Sequence, residues 1–199
     1  MERQALIDAS AQPGGRAPAP ESLALVQAFV NTVDREHGPD LLDDADGWAA
    51  WCAHRGFAPA PLARFEAQLV REALRDLLWA NAGHPNPEKR ARPFSEGSVL
   101  DRAAFDAQLT VRFAPARLEP RRGDALGAVL AQAYAAMADG SWARLKACPG
   151  ERCGWAYYDR SVNGSSAWCS MKVCGGRAKA RAYYRRTAVK SPRRIDPTR

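Results

Sequence analysis

The sequence has no long hydrophobic run. No stretch of about 18 consecutive apolar residues occurs, so no membrane-spanning helix is expected. Residues 1–20 also lack the apolar core of a signal peptide, and their Pro, Gly and Ala content is typical of a flexible leader. A cytoplasmic protein with reduced thiols is therefore expected.

Catalytic motifs are equally scarce. The three histidines, His37, His54 and His84, lie near predicted turns or helix ends, and none has a nucleophile or a second ligand at motif spacing. No Gly-rich phosphate-binding loop joins a strand to a helix. These absences argue against an enzyme.

Four of the five cysteines fall into two matched pairs, Cys148/Cys153 and Cys169/Cys174. Each pair has four residues between its members, and fifteen residues separate the pairs. Two such pairs can form a tetrahedral four-sulfur site of the kind that structural Zn²⁺ prefers. Two disulfides and four unrelated buried thiols are the alternatives. The fifth cysteine, Cys52, is interpreted as a core residue beside Trp51.

Positive charge is concentrated at the C-terminal end. Residues 142–199 contain 14 Lys or Arg and 3 Asp or Glu, whereas residues 1–141 contain 15 and 19. A mildly acidic body joined to a basic end indicates that only the end meets a polyanion. A merely solvated basic tail is the alternative.

Residues 21–140 are predicted to form an α-helical domain. Apolar residues at helical spacing predict helices over 21–36, 46–54, 60–80 and 123–139, and a capping-box pattern at Ser98 predicts another over 98–109. Residues 110–121 alternate in polarity, which fits two short strands or an irregular connection. Gly140 is the expected C-cap of the last helix. Its expected inward side chains are Leu126, Val129, Leu130, Ala133 and Met137.

Residues 141–187 are predicted to form a small zinc module. Strands are expected over 141–147 and 154–159, with a knuckle at 148–153 between them. Asn163-Gly164 predicts a hairpin turn leading to a returning strand at 167–169. Ser170 is expected to cap a helix that carries Cys174. A module this small cannot bury enough apolar surface to fold alone, so the metal is expected to stabilise it.

The helix after the last cysteine is strongly basic. Arg177, Arg181 and Arg185 are four residues apart and share one face, which could follow a phosphate backbone. The predicted nucleic-acid contacts are Arg177, Lys179, Arg181, Arg185 and Arg186. Residues 188–199 are expected to be a basic disordered tail.

The run from Cys148 to Cys174 and the following GGRAK resemble the CGNR zinc finger. In that family the finger commonly follows a helical ABATE domain in bacterial stress-induced transcription regulators, and LALVQAFVNTVDREHGPDLLDD resembles the opening of such a domain. The resemblance implies zinc on Cys148, Cys153, Cys169 and Cys174 and a DNA-binding role. Two departures occur: Gly176 replaces the Asn of CGNR, and Ser166-Ala167 replace basic residues before Trp-Cys.

The sequence therefore predicts a mainly α protein, with a helical domain followed by a zinc-bound β-hairpin and helix. The predicted function is that of a bacterial transcription regulator whose body binds a small-molecule ligand or forms a homodimer, while its zinc module binds DNA. The alternative is a zinc-stabilised module that binds RNA or protein without sequence-specific DNA recognition.

Overall fold

The protein is mainly α-helical, as the sequence predicts. The computed structural model describes residues 2–9, 12–58, 63–84, 96–121 and 123–190. In these residues the helices are α1 (Arg3–Asp8), α2 (Glu21–Val30), α3 (Ala45–His54), α4 (Ala63–Asn81), α5 (Glu96–Asp106), α6 (Ala125–Asp139) and α7 (Gly176–Lys190). The strands are β1 (Thr110–Phe113), β2 (Ala116–Glu119), β3 (Leu145–Ala147) and β4 (Ala156–Tyr158). In the described part of the chain, no helix is both long and apolar enough to cross a membrane.

Two helix ends are closed by well-defined caps. The Asp44 side chain accepts a hydrogen bond from the Gly47 backbone N–H at 2.7 Å, which satisfies one unpaired donor at the start of α3. Gly140 ends α6 with φ 81°, a left-handed conformation that glycine adopts without steric cost. The C-cap predicted at Gly140 is confirmed.

Three helix predictions need correction. α2 ends at Val30 rather than at residue 36, because the Asp34 carboxylate accepts hydrogen bonds from the backbone N–H groups of Glu36 and His37, each 3.1 Å long, and so closes a turn. α5 begins at Glu96, ahead of the predicted cap Ser98. Met137 is 41% exposed, although its helical position predicted burial.

The leader also differs from its prediction. Residues 3–8 form α1, and Leu6 and Ile7 are buried against the body. The Arg3 guanidinium forms an ion pair with Asp44 at 2.6 Å. Two apolar side chains in a short segment give little periodicity, so the sequence did not reveal this packing.

The core combines the helical body with the C-terminal module. Phe29, Trp48 and Trp51 form an aromatic cluster in which the two indoles stack with centroids 5.5 Å apart. Cys52 is fully buried beside them. The same cluster of buried residues continues to Tyr157 and to the cysteines of the module.

Two antiparallel strand pairs complete the fold. β1 pairs with β2, which confirms the two-strand alternative for this segment. β3 pairs with β4, and the connection between them, residues 148–155, contains the predicted 148–153 knuckle. The predicted returning strand at 167–169 does not form, and Asn163-Gly164 instead lies in a loop.

Candidate metal centre

Four sulfur atoms meet beside the β3–β4 hairpin. The Sγ atoms of Cys148, Cys153, Cys169 and Cys174 all lie within 4.8 Å of one another. Among the described residues this is the one group of three or more Cys, His, Asp or Glu side chains that could hold a metal ion. The structure thus brings together all four cysteines that the sequence singled out.

Each cysteine is placed by a different local structure. Cys148 directly follows β3, and Cys153 closes the knuckle through a 2.9 Å hydrogen bond from its N–H to the Gly150 carbonyl. Cys169 lies in the loop after β4. Cys174 lies in the π-helical turn Met171–Gly175, whose start is capped by the Ser170 side chain accepting from the Val173 N–H at 3.2 Å. The cap predicted at Ser170 is confirmed.

The sulfur separations distinguish a metal site from disulfides. Cys169 Sγ lies 3.6 Å from Cys153 Sγ and 3.7 Å from Cys174 Sγ. A disulfide requires about 2.05 Å, so these cysteines are free thiols. A tetrahedral zinc ion with Zn–S bonds of about 2.3 Å separates its sulfurs by about 3.8 Å. The cluster therefore fits a four-thiolate zinc ion in both donor chemistry and spacing.

The four thiols do not ionise independently. Hydrogen bonds from the Cys153 and Cys169 thiols, together with backbone N–H groups of Cys169 and Gly150, lower the pKa of Cys148. The bond to Cys148 raises the pKa of Cys153, and bonds to Cys148 and Cys153 raise that of Cys169. Burial raises the pKa of Cys174. Four thiolates this close together repel one another, so a cation is required to hold all four in the ionised form.

The knuckle is fixed to the body by α4. Arg75, which is fully buried, donates hydrogen bonds to the carbonyl oxygens of Gly154 and Val30, the latter at 2.7 Å. Its Nε atom lies 3.1 Å from a Glu72 carboxylate oxygen. One turn further on, Trp79 Nε1 donates to the Cys148 carbonyl at 3.1 Å. The backbone on both sides of the knuckle is therefore held by side chains of one helix.

The end of α2 holds β4. The Asn31 side chain donates to the Ala156 carbonyl at 2.9 Å and accepts from the Ala156 N–H at 2.7 Å. Gln27 donates to the same carbonyl at 3.1 Å. These amides are buried, so they supply hydrogen bonds that water cannot. The sequence did not single out Asn31, Gln27 or Arg75, because a polar side chain carries no local signal of a backbone partner that is distant in the chain.

A buried ion pair shapes the loop between β4 and Cys169. The Asp159 carboxylate lies 2.8 Å from Lys146 Nζ and accepts from the backbone N–H groups of Ser161 and Ser166, each at 2.9 Å. Although burial raises the pKa of Asp159, hydrogen bonds from Lys146 and Ser161 prevail and lower it. This network accounts for the loop that replaces the predicted strand at 167–169.

The leader also touches the metal centre. Arg16 donates to the backbone carbonyl of Cys169 at 2.6 Å and to that of Trp168 at 3.0 Å. Its guanidinium lies 5.0 Å from the centre of the Tyr157 ring. A residue from the predicted leader therefore orients the segment that carries the third cysteine.

The predicted nucleic-acid contacts all lie on α7, on exposed positions. Arg177 forms an ion pair with Glu36, and Arg181 lies 3.7 Å from a Glu151 carboxylate oxygen. Among the described residues, no carboxylate lies within ion-pair distance of Lys179, Arg185 or Arg186. The structure thus separates these five residues into paired and unpaired cations.

The departures from the CGNR pattern leave the metal centre intact. Gly176 is exposed at the start of α7 with helical φ, and a Cβ there would have as its nearest neighbour the Met171 carbonyl oxygen, 3.8 Å away. Ser166 and Ala167 are half-buried, and the Ser166 carbonyl accepts from the Tyr157 hydroxyl at 2.7 Å. None of the three residues contributes a side chain to the cluster.

Comparison with protein families agrees with this architecture. The CGNR zinc finger model matches residues 144–187, which include the four clustered cysteines. The model of the ABATE domain, described as "Putative stress-induced transcription regulator", matches residues 23–140, more than half of the chain. The protein belongs to the ABATE family. The resemblance noted in the sequence is confirmed. A search of curated proteins found no match.

In this ABATE protein the finger and the body share a continuous core, so the metal centre is part of the main fold. Neither matching family is a family of enzymes. The ABATE body has a cavity of about 360 Å³ bordered by Trp48, Glu66, Asp106 and Asp124. This volume is within the range of small-molecule sites, and a ligand there stays a prediction, as does a homodimer.

Proposed function

We propose that this ABATE-family protein is a zinc-dependent DNA-binding transcription regulator of the bacterial cytoplasm. The observation that carries the proposal is the four-sulfur cluster at zinc-like spacing directly before a basic helix. Zn²⁺ on Cys148, Cys153, Cys169 and Cys174 supplies structural cross-linking and neutralises the thiolates. The metal thereby holds the start of α7 in a fixed direction.

The charge of the zinc module supports a polyanionic partner. Residues 142–190 contain eleven Lys or Arg and two acidic residues, Glu151 and Asp159. Asp159 is fully buried against Lys146, so it does not offset the exposed positive charge. Arg and Lys on an exposed helix attract a phosphate backbone, and such binding weakens as salt increases. The cationic surface of α7 is therefore the proposed DNA-binding element.

The ABATE body is proposed to regulate this surface. Because Asn31, Arg75 and Trp79 connect the body directly to the finger, a ligand or second copy that changes the packing of α2 or α4 would also shift the finger. Self-association would present two copies of α7 and suit a two-fold operator. Through these contacts, binding of a ligand to the body would change the position of the DNA-binding helix.

The metal is tested by measuring zinc in protein purified without added metal. One zinc ion per chain is expected, and Cys169→Ser should lose it. Cys52→Ala is the matched control, because this cysteine lies outside the cluster and its replacement should retain zinc. Wild-type protein without zinc, or with a native disulfide within either cysteine pair, would contradict the proposal.

DNA binding is tested by gel shifts with genomic fragments, random duplex DNA and random RNA over a series of salt concentrations. A regulator should prefer a subset of genomic fragments and lose affinity steeply with salt. Equal binding to every fragment would exclude a specific operator. Tighter binding to RNA, or no binding to any nucleic acid, would instead favour an RNA-binding or protein-binding zinc module.

A further inference from the structure

The cations of α7 lie on two sides of the helix. Successive residues of an α-helix are rotated by about 100°. Arg177 and Arg181, four apart, therefore share one side. Lys179, Tyr183 and Arg186 recur at spacings of four and three, and they form a second side that faces roughly away from the first. We call these the anchored side and the open side.

The anchored side is already engaged with acidic residues. The Arg177 guanidinium pairs with Glu36 in the turn after α2. Arg181 Nη1 lies 3.7 Å from Glu151 in the knuckle. These pairs connect α7 to the body and to the knuckle, and they place two carboxylates where an approaching phosphate would be repelled. Arg185 continues this side beyond both carboxylates.

The open side keeps its full positive charge. Lys179 and Arg186 are exposed, and within the described ranges no acidic side chain pairs with either of them. Tyr183 lies between them along the helix and is 57% exposed. The stripe from Lys179 to Arg186 extends about 10 Å along the helix, enough to reach more than one phosphate of a strand. A tyrosine hydroxyl can donate a hydrogen bond to a phosphate oxygen between the two cations.

We propose that DNA contacts α7 on the open side, through Lys179, Tyr183 and Arg186, whereas Arg177 and Arg181 are positioning residues that hold the helix. This inference rests on the proposed DNA-binding function and specifies the surface that performs it. The predicted contacts thereby fall into two groups, because Arg177 and Arg181 pair with acidic residues on the opposite side of the helix from Lys179 and Arg186.

The test compares two double variants that remove the same charge from the same helix. Full-length zinc-loaded protein is titrated into labelled random duplex DNA by fluorescence anisotropy at several NaCl concentrations. K179Q/R186Q should weaken binding about tenfold at the lowest salt and make the salt slope shallower by about two. R177Q/R181Q should change affinity by about twofold or less, with faster hydrogen exchange of the α7 amides.

Adjacent tyrosines provide a second comparison with no change of charge. Tyr183→Ser should weaken DNA binding several-fold, whereas Tyr184→Ser, which alters a side chain about 100° away around the helix, should not. Zinc content and circular dichroism confirm that each variant is folded. If wild-type protein binds no DNA, both this inference and the proposed function fail. If wild type binds and R177Q/R181Q or Tyr184→Ser loses as much affinity as its counterpart, only this inference fails.

Discussion

The indole Nε1 of Trp79 donates a hydrogen bond to the backbone carbonyl of Cys148, 3.1 Å away within the core. This bond joins the centre of the helical body to the first residue of the metal cluster. Trp79→Phe should therefore destabilise the protein by about 1–3 kcal/mol, because it leaves the Cys148 carbonyl without this buried partner. Urea unfolding of the zinc-loaded protein measures the change.

Trp155→Phe is the matched control for that substitution. Trp155 is also buried at the module, but within the described structure its Nε1 has no hydrogen-bond partner. Its replacement should cost less than that of Trp79, since no hydrogen bond is lost. An equal or larger loss of stability for Trp155→Phe would show that the effect comes from ring size rather than from the hydrogen bond to Cys148.

Glycine at position 150 should be required for tight metal binding. A Cβ at Gly150 would lie 3.1 Å from Cys153 Cβ, 3.2 Å from Cys174 Sγ and 3.4 Å from Cys148 Sγ. Gly150→Ala should therefore displace at least one sulfur and lower zinc affinity by about tenfold, as measured by competition with a chromogenic chelator.

Gly176→Ala, in the same module, should leave zinc binding intact, in contrast to Gly150→Ala. Position 176 has helical backbone angles and ample space for a Cβ, so alanine should leave zinc affinity unchanged and stabilise the protein by about 0.5–1 kcal/mol. If both alanines reduced zinc affinity equally, crowding of the sulfurs would not be the cause.

Zinc removal should destabilise the whole chain in one transition. The cysteines belong to the same buried cluster as Trp79 and the aromatic residues of the body. A chelator should therefore lower the free energy of unfolding by several kcal/mol, and stoichiometric zinc should restore it. Calorimetry checks the number of transitions. A finger that melts separately, with the body transition unmoved, would contradict this expectation.

Low pH should remove the contribution of Glu72 to the stability of the fold. Burial raises the pKa of Glu72, but the positive charges of Arg75 and Arg71 outweigh it and lower the pKa to about 2. The stabilisation is therefore present above the ordinary pKa near 4.5 and disappears as pH falls towards 2. Glu72→Gln should cost about 1–3 kcal/mol at pH 7, and the difference from wild type should shrink below pH 4.5.

Urea unfolding of both proteins from pH 7 to pH 3 measures this difference. Acid also protonates the cysteine thiolates, but that loss is common to both proteins and cancels in the comparison. Glu119→Gln is the control, because its ion pair with Arg112 is exposed on the β1–β2 hairpin and should contribute little. A difference for Glu72→Gln that does not depend on pH would contradict the assigned ion-pair origin.

Local sequence signals predicted much of this structure. Helical periodicity located α4 and α6, and cysteine spacing predicted the cluster. The start of the helical pattern after Cys169 predicted the cap at Ser170. The proposed tail over 188–199 is only partly described: α7 continues to Lys190, and residues from 191 onwards lie outside the described residues. Residues 60–62 of the helix predicted over 60–80 also lie outside them.

Long-range contacts account for what the sequence did not reveal. Arg16 belongs to the segment that composition predicted to be a flexible leader, yet it hydrogen-bonds to the Cys169 carbonyl 153 residues away. The turn dipeptide Asn163-Gly164 favoured a hairpin, but the buried pair of Asp159 and Lys146 holds a loop there instead. Similarly, the sequence does not indicate that Arg177 forms an ion pair with Glu36. In each case the partner is distant in the chain, and its position depends on the complete fold.

The amide of Asn31 has one more effect on β4. A two-stranded ribbon leaves an outer row of backbone groups that can pair with a strand from another molecule. By bonding to both the N–H and the C=O of Ala156, Asn31 occupies part of that outer row as a neighbouring strand would. Because Ala156 is fully buried, this row is closed from within the fold. Asn31→Ala would leave the Ala156 N–H without its partner inside the core, while Gln27 would still donate to the carbonyl.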